Sequence, residues 1–164
     1  MEIIKDGNSS SMQSGVGYYN SPIGLIKICC NSHGITELDF VSSKDIADKQ
    51  DSLITKCISQ LGEYFKGKRK EFDLPVVLNG TAFQNKVWEK LTTVKYGETA
   101  SYKELAILAG NEKACRAVGM ANNKNPVALI VPCHRIIGSN GSLTGYAGGI
   151  DKKQWFLEHE KKNK

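Results

Sequence analysis

Three stretches of β-branched, aromatic and aliphatic residues lie close together early in the chain: Val16 to Asn20, Leu25 to Asn31 and Ile35 to Val41. Ser21-Pro22-Ile23-Gly24 and Asn31-Ser32-His33-Gly34 separate them with turn chemistry, so the pattern predicts a small antiparallel sheet. The spacing then changes. Ile46, Leu53, Ile54, Cys57, Ile58, Leu61 and Tyr64 recur at helical intervals, which predicts a helix over Ser43 to Phe65 closed by Gly67. Lys66 to Lys70 is a short basic run of the kind that lies in solvent. Leu74 to Gly80 holds Pro75 and ends Asn79-Gly80, the composition of a linker or strand-to-loop passage. The boundary between two small domains, 1–79 and 80–164, is placed there.

The second half is helical in pattern. Phe83, Val87, Trp88, Leu91 and Val94 share one face of a helix over Thr81 to Val94. Ser101-Tyr102-Lys103-Glu104 is a capping box that starts a helix through Leu108. Gly110-Asn111 breaks it, and Lys113 to Asn122 forms another, with Ala114, Ala117, Val118 and Ala121 inward. Two short helices around a glycine turn make a helix-turn-helix candidate, although any αα-hairpin has a similar pattern. The second helix has one long polar side chain suited to reading bases, Arg116. Its small residues suit close approach to DNA at large rather than to one operator sequence.

Charge sharpens this division. Net charge is +5, with 13 Lys/Arg against 7 Asp/Glu from Gly80 onward and 9 against 10 before it. A basic second half suits a polyanion, though a solvated surface carries the same bias. No run approaches the ~18 apolar residues of a membrane span. The start, Met1-Glu2-Ile3-Ile4-Lys5-Asp6, has no basic-then-apolar leader. These features predict a soluble, cytoplasmic protein. In that compartment the five cysteines, an odd number, should be reduced thiols, most of them small buried hydrophobes.

The segment from Asn125-Pro126 through Val127-Ala128-Leu129-Ile130-Val131 to Pro132-Cys133-His134-Arg135 carries candidate chemistry. The apolar run predicts an interior segment ending at Cys133, with Pro132 fixing the approach. A thiol attacks as thiolate, and burial alone raises its pKa above ~8.5, so a base or cation must lie beside it. His134 and Arg135 are the local candidates. Neighbours on an extended chain point to opposite sides, so Cys133–His134 contact needs a turn or a bridging water. A carboxylate would orient the histidine, and the last helix supplies Glu158 and Glu160, with Asp151 and Gln154 as its capping pair. A core cysteine beside a surface histidine fits the same residues.

Pro132-Cys133-His134-Arg135 after Asn125-Pro126 resembles the active-site signature of the O6-alkylguanine-DNA alkyltransferase family. Ser101-Tyr102, Arg116-Ala117-Val118-Gly119, Gly145-Tyr146-Ala147-Gly148-Gly149 and Trp155-Phe156-Leu157-Glu158-His159-Glu160 resemble further blocks in order, and Ser21-Pro22-Ile23-Gly24 resembles the N-terminal domain. The resemblance implies an α+β protein: a ribonuclease H-like N-terminal α/β domain with an antiparallel sheet, then a mainly helical domain with a helix-turn-helix and the reactive cysteine. It implies transfer of an alkyl group from O6 of a flipped-out guanine, with O4-methylthymine a further substrate, to Cys133 in one irreversible turnover. His134 would be the base acting through water, Glu160 its orienting carboxylate and Asn125 the shaper of the turn. Tyr102 would be the proton donor and Arg116 the filler of the vacated stack. Ala117 and Arg135 would lie toward the DNA. The carbonyls of Cys133 and Ile136 would accept from the base, with Tyr146, the Ala147 N–H and Asn122 around it. The partner would be double-stranded DNA, held in the minor groove without sequence preference by a monomer, with no cofactor. The family's N-terminal zinc ligands have no counterpart in Cys29-Cys30-Asn31-Ser32-His33, so no metal is expected.

Three other readings remain: a regulator using Cys133 as a thiol sensor, a cysteine hydrolase that turns over, and a lesion binder without transfer. The last normally lacks the acceptor cysteine, which this chain has.

Overall fold

A computed structural model describes residues 1–5 and 12–164; Asp6, the end of the N-terminal stretch read above, lies outside the described residues. The chain divides into two compact units, Met1–Asn79 and Gly80–Lys164. No helix among the described residues is long and apolar enough to cross a membrane.

In the first unit, strands β2 (Gly15–Ser21), β3 (Gly24–Cys30) and β4 (Ile35–Val41) pair antiparallel. Helix α1 (Ser52–Phe65) packs on β2 and β3 and buries Ile54, Cys57, Leu61, Tyr64 and Phe65. It comes so close at Gly17 that a Cβ there would collide with Ile54. Gly67 ends it at φ 75, donating to the Tyr64 carbonyl at 2.9 Å. The predicted start at Ser43 is corrected. Asp51 is the N-cap, accepting from the Leu53 N–H at 2.8 Å. The segment before it is not helical: Lys49 pairs with Val16 through two 2.9 Å backbone bonds, and Ile46 is exposed.

Two further short strands complete this sheet. β1 (Ile3–Ile4) and β5 (Val76–Val77) are two residues each, run parallel, and complete a five-stranded sheet in the order β1-β5-β4-β3-β2. The stretch read as a linker or strand-to-loop passage thus delivers Leu74, Val76, Val77 and Leu78 to the core. Cys29 and Cys30 sit at a bulge of β3, and both are buried.

The second unit is helical. α2 (Ala82–Leu91), α3 (Tyr102–Leu108) and α4 (Cys115–Asn123) pack on one another, the first two opened by capping boxes at Thr81 and Ser101. Gly110, at φ 94, turns the chain between α3 and α4. A short parallel pair, β6 (Ala100–Ser101) with β7 (Ile136–Ile137), ties the start of α3 to the candidate site. α5 (Ile150–Lys162) lies against the turn that carries Cys133. Its N-cap is Gly149, and the expected Asp151–Gln154 capping pair does not form; Gln154 instead bonds Glu158 at 2.9 Å.

Trp88 joins α2 to α4 through its indole N–H, which donates to the Ala121 carbonyl at 2.7 Å in the core. Trp88→Phe removes that donor and leaves a small void. It should cost about 1 kcal/mol, read as a melting temperature lower by about 2–4 °C.

Candidate active site

The residues leading to Cys133 are buried, but they do not form the interior strand that their apolar run suggests. Leu129 takes φ 72, a left-handed conformation unusual for a leucine. Local bonds hold the loop: Ile130 N–H to Ala128 O at 2.8 Å and Val131 N–H to Val127 O at 3.0 Å. Asn125 braces it from both sides. Its Nδ2 donates to Val131 O at 2.7 Å and its Oδ1 accepts from Val127 N–H at 3.0 Å. A coiled loop satisfies its buried backbone from within, which an unpaired strand could not do.

Cys133–Arg135 then forms one turn of 3-10 helix after Pro132. The turn puts Cys133 at 5 % exposure and His134 at 0 %. The sulfur and the imidazole leave adjacent residues of a tight turn rather than opposite sides of a strand. His134 Nε2 lies 2.7 Å from Glu160 Oε2. Arg135 approaches the same carboxylate, Nε to Oε1 at 2.8 Å and Nη2 to Oε2 at 3.1 Å, while its Nη1 donates to Val94 O at 2.8 Å. Arg135 is therefore buried in a bidentate clamp, not turned toward DNA as expected.

Protonation follows from this geometry. Burial works against charge on Glu160, but His134 and Arg135 outweigh it and hold the carboxyl well below the ordinary carboxylate range. Burial pushes His134 below its ordinary 6.5; Glu160 opposes that shift, and Arg135 and Lys153 add to it. A neutral imidazole facing a carboxylate donates Nε2–H to it, which leaves the lone pair on Nδ1. That nitrogen is buried and has no hydrogen-bond partner among the described residues. The site thus presents a base, fixed in one tautomer, whose active atom is unoccupied.

On the other side, Tyr102 Oη donates to Thr144 O at 2.8 Å. Burial raises the Tyr102 pKa, with Cys133 adding and the Thr144 bond opposing. Gly145, at φ 67, lets the chain pass this hydroxyl, which a Cβ would meet at 3.0 Å. Lys153 Nζ donates to the same Thr144 carbonyl at 2.9 Å from the buried face of α5. Lys153 is not among the residues singled out from the sequence. Its position three residues before Phe156 and seven before Glu160 was the available signal, because all three fall on one helical face.

The remaining assigned residues divide. Tyr146 is buried with its ring edge toward Phe156, and Ala147 beside it is exposed. Ile136 is fully buried in β7. Arg116 and Ala117 are exposed on α4, so Ala117 is not an inward residue of the hairpin. Asn122 is 1 % exposed and donates through Nδ2 to Cys133 O at 3.3 Å. It therefore backs the cysteine turn instead of packing on a base. Ile136 N–H donates to the same carbonyl. The Cys133 carbonyl thus already serves two donors and is not the open acceptor the resemblance implied. Among the described residues no group of three or more His, Cys, Asp or Glu could hold a metal ion.

Residues 82–162 match the family described as 6-O-methylguanine DNA methyltransferase, DNA binding domain, and residues 16–78 match its ribonuclease-like domain. A methylated-DNA–protein-cysteine methyltransferase of Methanosarcina barkeri is 44% identical over 155 residues, covering 89% of this chain and 98% of the relative. One of Mycolicibacterium paratuberculosis is 43% identical over 88% of this chain and 90% of its own length. The crystal structure of Mycobacterium tuberculosis O6-methylguanine methyltransferase superposes with a TM-score of 0.82 at 42% identity, covering 91% of this chain and 94% of that one. The M. tuberculosis protein in complex with DNA gives 0.82 at 43% identity, over 89% and 93%. With both family domains in order and relatives of this identity along most of its length, the chain belongs to the 6-O-methylguanine DNA methyltransferase family.

Proposed function

We propose that this protein repairs O6-alkylated guanine in DNA by moving the alkyl group onto Cys133 Sγ. The observation that carries the reading is the buried His134–Glu160–Arg135 network, which leaves Nδ1 of a neutral imidazole without a hydrogen-bond partner on the residue next to a buried thiol. His134 takes the thiol proton through Nδ1, directly or through a water, and Glu160 steadies the imidazolium that forms. The thiolate attacks the alkyl carbon in line. The S–C bond forms, the C–O6 bond breaks, and the electron pair leaves with guanine. A proton from Tyr102 to the guanine ring relieves that charge, and the proton held on His134 restores the balance. The product is a thioether with no activated leaving group, so each molecule acts once.

Access requires base flipping. At 5 % exposure Cys133 cannot reach a paired, stacked guanine. Arg116, exposed on α4, would fill the vacated stack. Around it Ala117 and Gly119 let the helix approach a minor groove closely without reading sequence. Asn125 and Asn122 hold the Cys133 turn from behind, while Tyr146 and Ala147 would wall the flipped base.

Intact mass after incubation with an oligonucleotide holding one O6-methylguanine tests the reading. One added methylene unit per chain, saturating and mapping to the peptide with Cys133, is the expected result. Turnover without consumption of the protein favours a hydrolase. A label on another thiol removes Cys133 from its role.

A further inference from the structure

We infer that Met120 is an apolar wedge, which packs beside Arg116 against the base and sugar faces that open in duplex DNA when the damaged guanine leaves the stack. The inference rests on the base-flipping reading above and deepens it with a residue that takes no part in the chemistry at Cys133.

Met120 is 62 % exposed, the most exposed large apolar side chain of the second unit. One exposed apolar residue is ordinary on a protein surface, so its neighbours decide what it does. α4 buries Val118, Ala121 and Asn122. Its other face carries Arg116, Ala117, Met120 and Asn123, all exposed. Arg116 and Met120, four residues apart, stand one turn from each other on that face. From Lys113 to Lys124 the chain holds three cations, Lys113, Arg116 and Lys124, and no carboxylate. All three are exposed. The face is therefore cationic at its ends and apolar between them, which suits a polyanion whose phosphates meet the ends. Its far end abuts the candidate site. A Cβ on Gly145 would lie 3.5 Å from the Asn123 amide and 3.0 Å from Tyr102 Oη, and a Cβ on Gly119 would meet the Tyr102 ring at 3.7 Å. The face thus runs from Arg116, past Met120, to the loop that receives Tyr102.

The side chain selects its contact. A thioether offers no charge to a phosphate, so Met120 gains from apolar surface, while the lysines serve the backbone. Flipping creates such surface: the bases beside the gap lose a stacking partner, and the sugar of the extruded nucleotide turns outward. A base pair missing from the stack leaves about 6.8 Å between its neighbours, two steps of about 3.4 Å. Arg116 and Met120 stand about 6 Å apart along the helix, so both reach one gap. Arg116 covers it with a planar cation, and Met120 with an unbranched, polarisable chain that conforms to an irregular face. Surface covered in the flipped state and absent from the stacked state shifts the equilibrium toward flipping. A single strand has little stack to open, so the contribution there is small.

Single-turnover methyl transfer from an oligonucleotide holding one O6-methylguanine, presented as duplex and as single strand, tests the wedge. Met120→Ala should slow transfer from the duplex about tenfold and from the single strand by less than about twofold. Its melting temperature should match the parent's, because the truncated side chain lies outside the core. Met120→Leu should restore most of the duplex rate. Met120→Lys should be as slow as Met120→Ala although it adds a cation, whereas a face held through charge alone would lose nothing. Met120→Ala at the parent rate on the duplex, or equally slowed on both substrates, overturns the proposal, and so does Met120→Lys at the parent rate. A second measurement uses the unsubstituted chain. Its methionines are oxidised with hydrogen peroxide and read by peptide mass, with and without a duplex whose abasic site stands where the damaged nucleotide would be, at a concentration that shifts all the protein on a gel. Met120 should be protected, while Met12, 86 % exposed in the first unit, should oxidise at an unchanged rate. Equal oxidation of Met120 with and without the duplex overturns the proposal. Absence of methyl transfer in the parent protein sinks the repair reading, while the protection of Met120 still decides its contact with DNA.

Discussion

Glu160→Gln should remove about 3–5 kcal/mol of stability and slow methyl transfer at least about a hundredfold. Glu160 is 1 % exposed and accepts from His134 Nε2, from Arg135 Nε and Nη2, and from Gly97 N–H at 3.3 Å. Glutamine presents one oxygen and one NH2 group to donors that need both oxygens. Whichever way it turns, an NH2 faces another donor, and the Arg135 cation stays buried without an anion. The rate falls for a separate reason: without the carboxylate, neither the Nε2–H tautomer nor the developing imidazolium is stabilised. pH supplies a further signature. Both His134 and Glu160 have folded pKa values below their ordinary 6.5 and 4.5. The unfolded chain therefore binds protons first, and stability falls as pH drops below about 6.5 and again below about 4.5. Glu160→Gln should flatten the lower window. Urea unfolding across pH 3–8 and single-turnover transfer measure both effects. A variant within about 1 kcal/mol of the parent, reacting at the parent rate, would show that the network is not what activates Cys133.

How far the sequence foretold this site differs element by element, with physical reasons. β2, β3 and β4 were legible because each is seven residues long and bounded by strong turn chemistry. β1 and β5 were not, because two-residue strands show no alternation and their pairing is parallel and remote in sequence. The start of α1 was misplaced by Ile46, which matches the helical spacing but is exposed, while the true cap, Asp51, carries no periodic signal. At the site, Cys133, His134 and Glu160 fall together as the motif suggests. The resemblance implied ligand contacts for Arg135 and Asn122, yet both point inward: a guanidinium meets a buried carboxylate as readily as a phosphate, and only the fold decides which. Lys153 was invisible for the converse reason. Amid Asp151, Lys152 and Gln154 it has the look of a solvated helix face, and the packing of α5 is what buries it.

Arg135→Met should cost a similar amount of stability, about 3–5 kcal/mol, but its kinetic signature should be distinct. The substitution takes the permanent cation off Glu160 and leaves Val94 O without its 2.8 Å donor. Glu160 keeps His134 and the Gly97 N–H. Arg135 is one of the charges holding His134 low, while Glu160 favours the imidazolium; deleting Arg135 therefore raises the His134 pKa. A protonated Nδ1 cannot accept the thiol proton, so transfer slows at neutral pH and recovers as pH rises. Glu160→Gln has no such recovery, because its histidine is already neutral and has lost its orienting partner. The double variant Arg135→Met/Glu160→Gln should be less destabilised than the sum of the singles, since removing both partners leaves neither of the two charges stranded. The pH–rate profiles of the two singles and the unfolding free energy of the double decide the point. If Arg135→Met loses rate equally at every pH, the guanidinium serves packing alone and does not set the strength of the base.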